Sequence, residues 1–171
     1  MNEQNKIVII PLGGLGEIGK NMTVFRYDDD IIVIDAGLAF PEEDMLGIDL
    51  VIPDMTYLVE NKDKVRAVVL THGHEDHVGS LSYLLKQLNV PVYGTRLSLG
   101  LVETRLKENN VSGCTLIPVK PGDQIKIGQI QVGFIRVSHS ISDAVGLSFK
   151  TPVGTVVHTG DFKIDCTPEW G

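Results

Sequence analysis

The apolar positions fall into short blocks along the chain, and their period changes more than once. Residues 7–10 form a brief apolar run, followed by the glycine-rich stretch PLGGLGEIGKN. MTVFRY at 22–27 has the β-branched and aromatic bias of a strand, and Asp28-Asp29-Asp30 turns the chain into a further run at 31–35, closed by Ala36-Gly37. This pattern predicts a hairpin or meander with no helix in it. Residues 38–55 read as loop, punctuated by Pro41, Gly47 and Pro53. Residues 57–64 fit a short helix.

The next block has a different rhythm. VRAVVLT at 65–71 is the continuous apolar run of a strand buried on both faces. After HGHEDH, the leucines at 81, 84, 85 and 88 follow helical spacing, so VGSLSYLLKQLN predicts one helix. Residues 90–94 return to strand, and Thr95 can cap a second helix reaching about residue 110. Strand–helix–strand–helix is the layered α/β pattern. Strands are then predicted at 115–119, 124–127, 129–138, 145–151 and 155–160. The chain reaches Glu169-Trp170-Gly171 after a turn, with no last helix to cover that sheet.

Composition narrows the class. The length suits one domain or part of a larger one, and no apolar run approaches the roughly 18 residues needed to span a bilayer. The beginning MNEQNKIVIIPLGG lacks a small-residue cleavage pattern, and two isolated cysteines, Cys114 and Cys166, give no disulfide framework. A soluble protein of the reducing cytoplasm is expected. The net charge of −7 argues against a broad basic surface, yet suits an acidic site whose positive charge comes from metal ions.

The chemistry concentrates in HGHEDH. His72, His74, Asp76 and His77 form H-x-H-x-D-H directly after the buried strand, and imidazole nitrogens with a carboxylate suit zinc or manganese. His72 and His74, two apart at a strand end, can face one side, while Asp76 and His77 face a second ion from the start of the following helix. His139 and Asp161 each sit where an apolar strand gives way to a polar loop, so both are candidates to complete the set. His158 lies within a strand and reads as structural. Asp35, before Ala-Gly, is either an Asx-turn former or an acid that orients a ligand histidine.

The glycine stretch mimics two nucleotide motifs, with Gly14, Gly16 and Gly19 in G-x-G-x-x-G and Lys20 in a Walker-like position. A nucleotide loop must open a helix. Here a strand follows, and Asn21 stands where a Walker loop has Ser or Thr. The glycines fit a tight loop between strands at the rim of the metal site.

Asp35, HGHEDH, His139 and Asp161 occur in the order that marks the metallo-β-lactamase superfamily, which the chain resembles. PLGGLGEIGKNM, IDAGLAFPEEDMLGIDLVIPD, LTHGHEDHVGSL and HTGDFKID look more narrowly like ribonuclease J, a bacterial β-CASP ribonuclease family, essentially end to end. The resemblance implies an αββα sandwich, present only in its N-terminal part over residues 1–171. The β-CASP insertion, the rest of the sandwich and a C-terminal domain would lie outside this chain, which alone would be inactive or weakly active. It also implies that His72, His74 and His139 hold one divalent ion, that Asp76 and His77 hold a second, and that Asp161 bridges them. A further histidine from beyond the β-CASP insertion would complete the second ion's site.

The implied activity is hydrolysis of RNA by a metal-activated water, as endonuclease and 5′-to-3′ exonuclease. Asp76, His77 and Asp161 would act around that water, and RNA processing and decay would be the setting. Ser140 and Asp143 are candidate substrate contacts, with an ordinary strand-to-strand loop as the alternative. A homo-oligomer or a paralogue partner is expected of the full-length protein, and no membrane. Two other readings compete: a hydrolase of thioesters, lactones or β-lactams on the same fold, and a non-catalytic subunit of a ribonuclease complex. The metal motif permits the first, whereas the second would be expected to show eroded ligands.

Overall fold

The computed structural model describes residues 5–167. Its strands and helices are β1 (Ile7–Gly13), β2 (Met22–Tyr27), β3 (Asp30–Ile34), α1 (Thr56–Glu60), β4 (Val65–Val69), α2 (Glu75–Val78), α3 (Leu81–Gln87), β5 (Val92–Thr95), α4 (Arg96–Glu108), β6 (Leu116–Val119), β7 (Gln124–Ile127), β8 (Ile130–Arg136), β9 (Val145–Thr151) and β10 (Gly154–His158). The first six strands form one sheet in chain order. Its first three strands are antiparallel neighbours, and β3 to β6 run parallel. The remaining four form an antiparallel sheet, ordered β10-β9-β8-β7.

Alternation along the central strands builds two cores. Ile31 and Val33 of β3 face a helical layer with Leu58, Leu81, Leu84, Leu85, Val102 and Leu106. Ile32 and Ile34 point the other way, against Ile130, Val132, Phe134, Leu147 and Phe149 of the second sheet. Every residue of β3 is therefore buried, as a strand covered on both faces requires. Phe25 stacks on Phe149 across the inter-sheet space, with centroids 4.5 Å apart. A contact of that kind is worth about 1 kcal/mol beyond its buried area.

The result is a helix–sheet–sheet arrangement, three of the four layers of the expected sandwich. Among the described residues no helix covers the outer face of the second sheet, where Gln131, Lys150 and Val157 are exposed. The expected turn through Glu169-Trp170-Gly171 lies outside the described residues.

Several boundaries move, each for a tertiary reason. The helix expected after HGHEDH is two helices, α2 and α3, because Ser80 N–H turns to the Ala36 carbonyl at 2.8 Å. The helix expected at 57–64 ends at Glu60 and is followed by a 3₁₀ turn, Lys62–Lys64. Thr95 precedes α4 as expected, but its hydroxyl pairs with Ser98 Oγ at 2.9 Å and makes no bond to the helix backbone.

The strand expected to run through Thr71 leaves the first sheet after Val69. Leu70 N–H still bonds the Tyr93 carbonyl, whereas the Thr71 carbonyl accepts from Val145 N–H of β9 at 2.9 Å. The chain thus crosses from one sheet to the other just before His72. That crossing places HGHEDH at the seam of the sandwich, beyond the carboxyl ends of parallel strands, where open α/β sheets place their ligands.

Candidate metal centre

Asp35 organises the seam. It follows β3 in the left-handed region at φ 59°, a conformation that Asp tolerates better than most residues. Its carboxylate is buried. Oδ1 accepts the Thr71 N–H at 2.7 Å, and Oδ2 accepts the Thr71 hydroxyl at 2.7 Å and His77 Nδ1 at 2.8 Å. Of the two sequence readings, the geometry is that of an acid orienting a histidine.

These bonds fix the imidazoles. The Thr71 hydroxyl spends its proton on Asp35, so it accepts from His72 Nδ1–H at 3.0 Å. His77 likewise spends its Nδ1 proton on Asp35. Both rings therefore turn an Nε2 lone pair outward, as metal-binding histidines do when the other nitrogen is held. His72 Nε2 lies 3.0 Å from His74 Nδ1, which lies 3.3 Å from His139 Nε2.

Four of the sequence candidates, His72, His74, His77 and His139, thus meet ring to ring, with His72 and His74 4.6 Å apart at their centroids. Asp161, on the loop after β10, places Oδ2 3.6 Å from His77 Nε2 and 3.8 Å from His139 Nε2, between the two halves of the cluster. Asp76 Oδ2 is 3.5 Å from His77 Nε2.

The donor set suits a divalent cation. Ligands about 2.0–2.1 Å from a tetrahedral zinc stand about 3.3 Å apart, and the His72–His74–His139 nitrogens are spaced at that scale. Those three share one group of atoms within 4.8 Å, and His72, His77 and Asp161 share another. Asp76 stands just outside the second group, against His77. Lone pairs converging this closely repel unless protons or a cation lie between them.

The electrostatics separate the histidines. Burial, with the charges of neighbouring His77, His74 and His139, pushes His72 down to about 4. Burial likewise lowers His139. For His77, burial pulls downward, but the Asp35 hydrogen bond and the charges of Asp35, Asp76 and Asp161 win, and its pKa is raised.

Ser140 and Asp143 lie on the loop that carries His139, between β8 and β9. Both are exposed and line a cleft of about 770 Å³ that opens beside His139 and is also lined by Arg136 and Lys163. The acid of HGHEDH that faces away is Glu75, which pairs with Arg105 of α4. His158 stays apart from the cluster, accepting the Gly160 N–H at 3.2 Å.

Two residues escaped sequence reasoning. Thr71 carries the hydroxyl that links Asp35 to His72, and its place directly before the motif is the only signal in the sequence. Asn21, at the end of the glycine loop, brings Nδ2 to 3.2 Å from Asp76 Oδ2 and 3.1 Å from His77 Nε2. Nothing in the spacing announces it.

A mixed α/β fold with clustered histidines at the sheet seam defines a class. The profile of the metallo-beta-lactamase superfamily matches residues 15–170, and the chain belongs to that superfamily. More narrowly, it is 51% identical over 173 residues to ribonuclease J of Thermus thermophilus and 52% identical over 163 residues to ribonuclease J of Synechocystis. It is also 51% identical over 168 residues to ribonuclease J2 of Bacillus subtilis. These matches cover 96%, 94% and 98% of this chain but only 30%, 26% and 30% of the relatives, so the chain corresponds to their N-terminal part.

Solved structures agree on the fold. A protein of unknown function from Enterococcus faecalis superposes with a TM-score of 0.72 at 21% identity, over 92% of this chain and 44% of its own. The metallo-beta-lactamase fold protein YhfI from Bacillus subtilis gives 0.62 at 16%, over 90% and 61%. The superfamily implies a divalent metal, and the histidine cluster fits one.

Proposed function

We propose that this chain carries the metal centre of a ribonuclease of the ribonuclease J type, which hydrolyses RNA phosphodiesters as an endonuclease and a 5′-to-3′ exonuclease. The observation that carries the reading is the meeting of His72, His74, His77, His139 and Asp161 at one sheet seam, in a chain about half identical to ribonucleases J. In this reading His72, His74 and His139 hold one ion, Asp76 and His77 hold the other, and Asp161 reaches both. Zinc fits the nitrogen-rich donors, with manganese the second choice.

Two divalent ions held there would supply an acidified water and offset the negative charge of phosphate oxygens. The chain's own groups do the rest. Asp35 and Thr71 hold His77 and His72 in the tautomer that leaves Nε2 free. Ser140 and Asp143, with Arg136 and Lys163, line the cleft that would hold the RNA backbone beside His139. Residues supplied by the longer protein, including a β-CASP insertion, would close the site and complete the second ion's coordination. RNA turnover in the cytoplasm, by a homo-oligomer or a pair of paralogues, is the setting that follows.

The test is His77→Ala in the intact protein. Cleavage of a 5′-monophosphorylated RNA should fall to background while the circular dichroism spectrum is retained. Near-normal cleavage would remove His77, and the second ion with it, from the reaction.

A further inference from the structure

The glycine loop between β1 and β2 delivers a side chain onto the metal loop. Asn21 is held through its backbone on both sides: its N–H donates to the Asp76 carbonyl at 3.0 Å, and its carbonyl accepts the Gly37 N–H at 2.9 Å. The side-chain amide then faces Asp76 Oδ2 at 3.2 Å and His77 Nε2 at 3.1 Å. An amide has two N–H groups, one for each partner. In its neutral form His77 accepts at Nε2, because its single proton sits on Nδ1 and is committed to Asp35.

Two glycines make this approach sterically feasible. A Cβ on Gly37 would collide with the Asp76 carbonyl and crowd Asn21 N at 2.8 Å. A Cβ on Gly14, itself at φ +83°, would collide with Asn21 Oδ1. The requirement for glycine on both sides of Asn21 therefore comes from its docking on the metal loop, without any nucleotide.

Asp76 and His77 differ in how firmly their side chains are held. His77 is buried and locked by Asp35. The Asp76 side chain is 38% exposed, so without a partner it would sample several rotamers. A ligand held beforehand loses less freedom when an ion arrives.

We propose that Asn21 is a positioning residue for the Asp76–His77 half of the metal centre. Its amide aims the Asp76 carboxylate and, before metal arrives, caps the lone pair of His77 Nε2. When an ion takes that lone pair, the bond to Asp76 remains. This proposal rests on the reading that Asp76 and His77 ligate an ion.

The test uses the intact protein, stripped with a chelator and titrated with cobalt(II), following heat and the d–d absorption of each equivalent. Asn21→Ala should leave the affinity and spectrum of the first ion as in the wild type. The second ion should bind ten- to a hundredfold more weakly, the usual effect of removing a group that orients a ligand. His77→Ala serves as the reference and should abolish the second ion. If Asn21→Ala matches the wild type at both ions while His77→Ala loses the second, the Asn21 proposal fails alone. Equal weakening of both ions by Asn21→Ala also overturns it, because the residue would then only brace the loop. Retention of both ions by His77→Ala overturns the ligand assignment and the proposal with it.

Discussion

At the scale of single residues, one carboxylate sets the state of two imidazoles. Asp35 accepts three hydrogen bonds from Thr71 and His77 in a buried position. Asp35→Asn is nearly isosteric, but an amide nitrogen facing His77 Nδ1 would force the His77 proton onto Nε2. The same logic makes Asp→Asn damaging in the serine-protease triad. Metal affinity of the intact protein should therefore fall at least tenfold in Asp35→Asn, as in Asp35→Ala, read by competition with a chromophoric chelator. Wild-type affinity in the Asn variant would remove the tautomer argument.

The histidines also predict a pH response of the metal-free protein. His72 is held at about 4 in the fold against 6.5 ordinarily, so the unfolded chain binds that proton more readily. Its contribution to stability is present above pH 6.5 and is lost as pH falls from 6.5 towards 4, by about 3 kcal/mol. His77, with its pKa raised, has the opposite sign: its protonation favours the fold at low pH, and that gain is lost as pH rises through its folded value. Denaturant unfolding of the chelated protein across this range should show a net fall below pH 6.5, and a flat profile would contradict the burial of a neutral His72.

At the scale of elements, the site depends on close passage of three loops. The turn after β3 passes Asp76 where only glycine fits, at Gly37. Gly37→Ala should separate Ala36–Leu38 from α2, breaking the 2.7 Å bond from Ala36 N–H to the His77 carbonyl. Hydrogen exchange at the Ala36 and Asn21 amides should accelerate, and unchanged protection would show that the loops tolerate a methyl group there.

This dependence explains what the sequence could and could not reveal. H-x-H-x-D-H is a local spacing, so four of its residues were legible as candidate ligands, and His139 and Asp161 joined them as candidates at strand ends. Asn21 and Thr71 act through contacts formed only when loops distant in sequence meet. The leucine periodicity correctly announced helix at 81–87, whereas the break before it is imposed by the Ala36 carbonyl, which no local pattern records.

At the scale of the whole molecule, two sheets must hold a fixed register for His139 and Asp161, both reached from the second sheet, to meet the histidines that follow the first. Asp30 helps fix it at the far end. Its carboxylate accepts Gln129 N–H of the β7–β8 turn at 2.8 Å and the Arg66 guanidinium at 2.7 Å. Asp30→Ala should cost about 2 kcal/mol and expose the Gln129 amide to exchange, since an inter-sheet bond to a buried carboxylate is lost. The α/β class was legible from strand and helix periods, whereas the pairing of two sheets came only from the family resemblance. The switch of the chain between sheets at Thr71 was not legible, because 65–71 reads as one strand with no turn residue to mark the crossing.

The proposed function requires that this seam supports metal-dependent hydrolysis of RNA. The most direct measurement strips the intact protein of metal, reloads it with zinc or manganese, and follows a 5′-monophosphorylated RNA beside a thioester and a β-lactam. RNA cleavage that vanishes on stripping and returns on reloading, leaving 5′-phosphate and 3′-hydroxyl ends, is the predicted result. Cleavage indifferent to metal, or hydrolysis confined to the thioester or β-lactam, would contradict it.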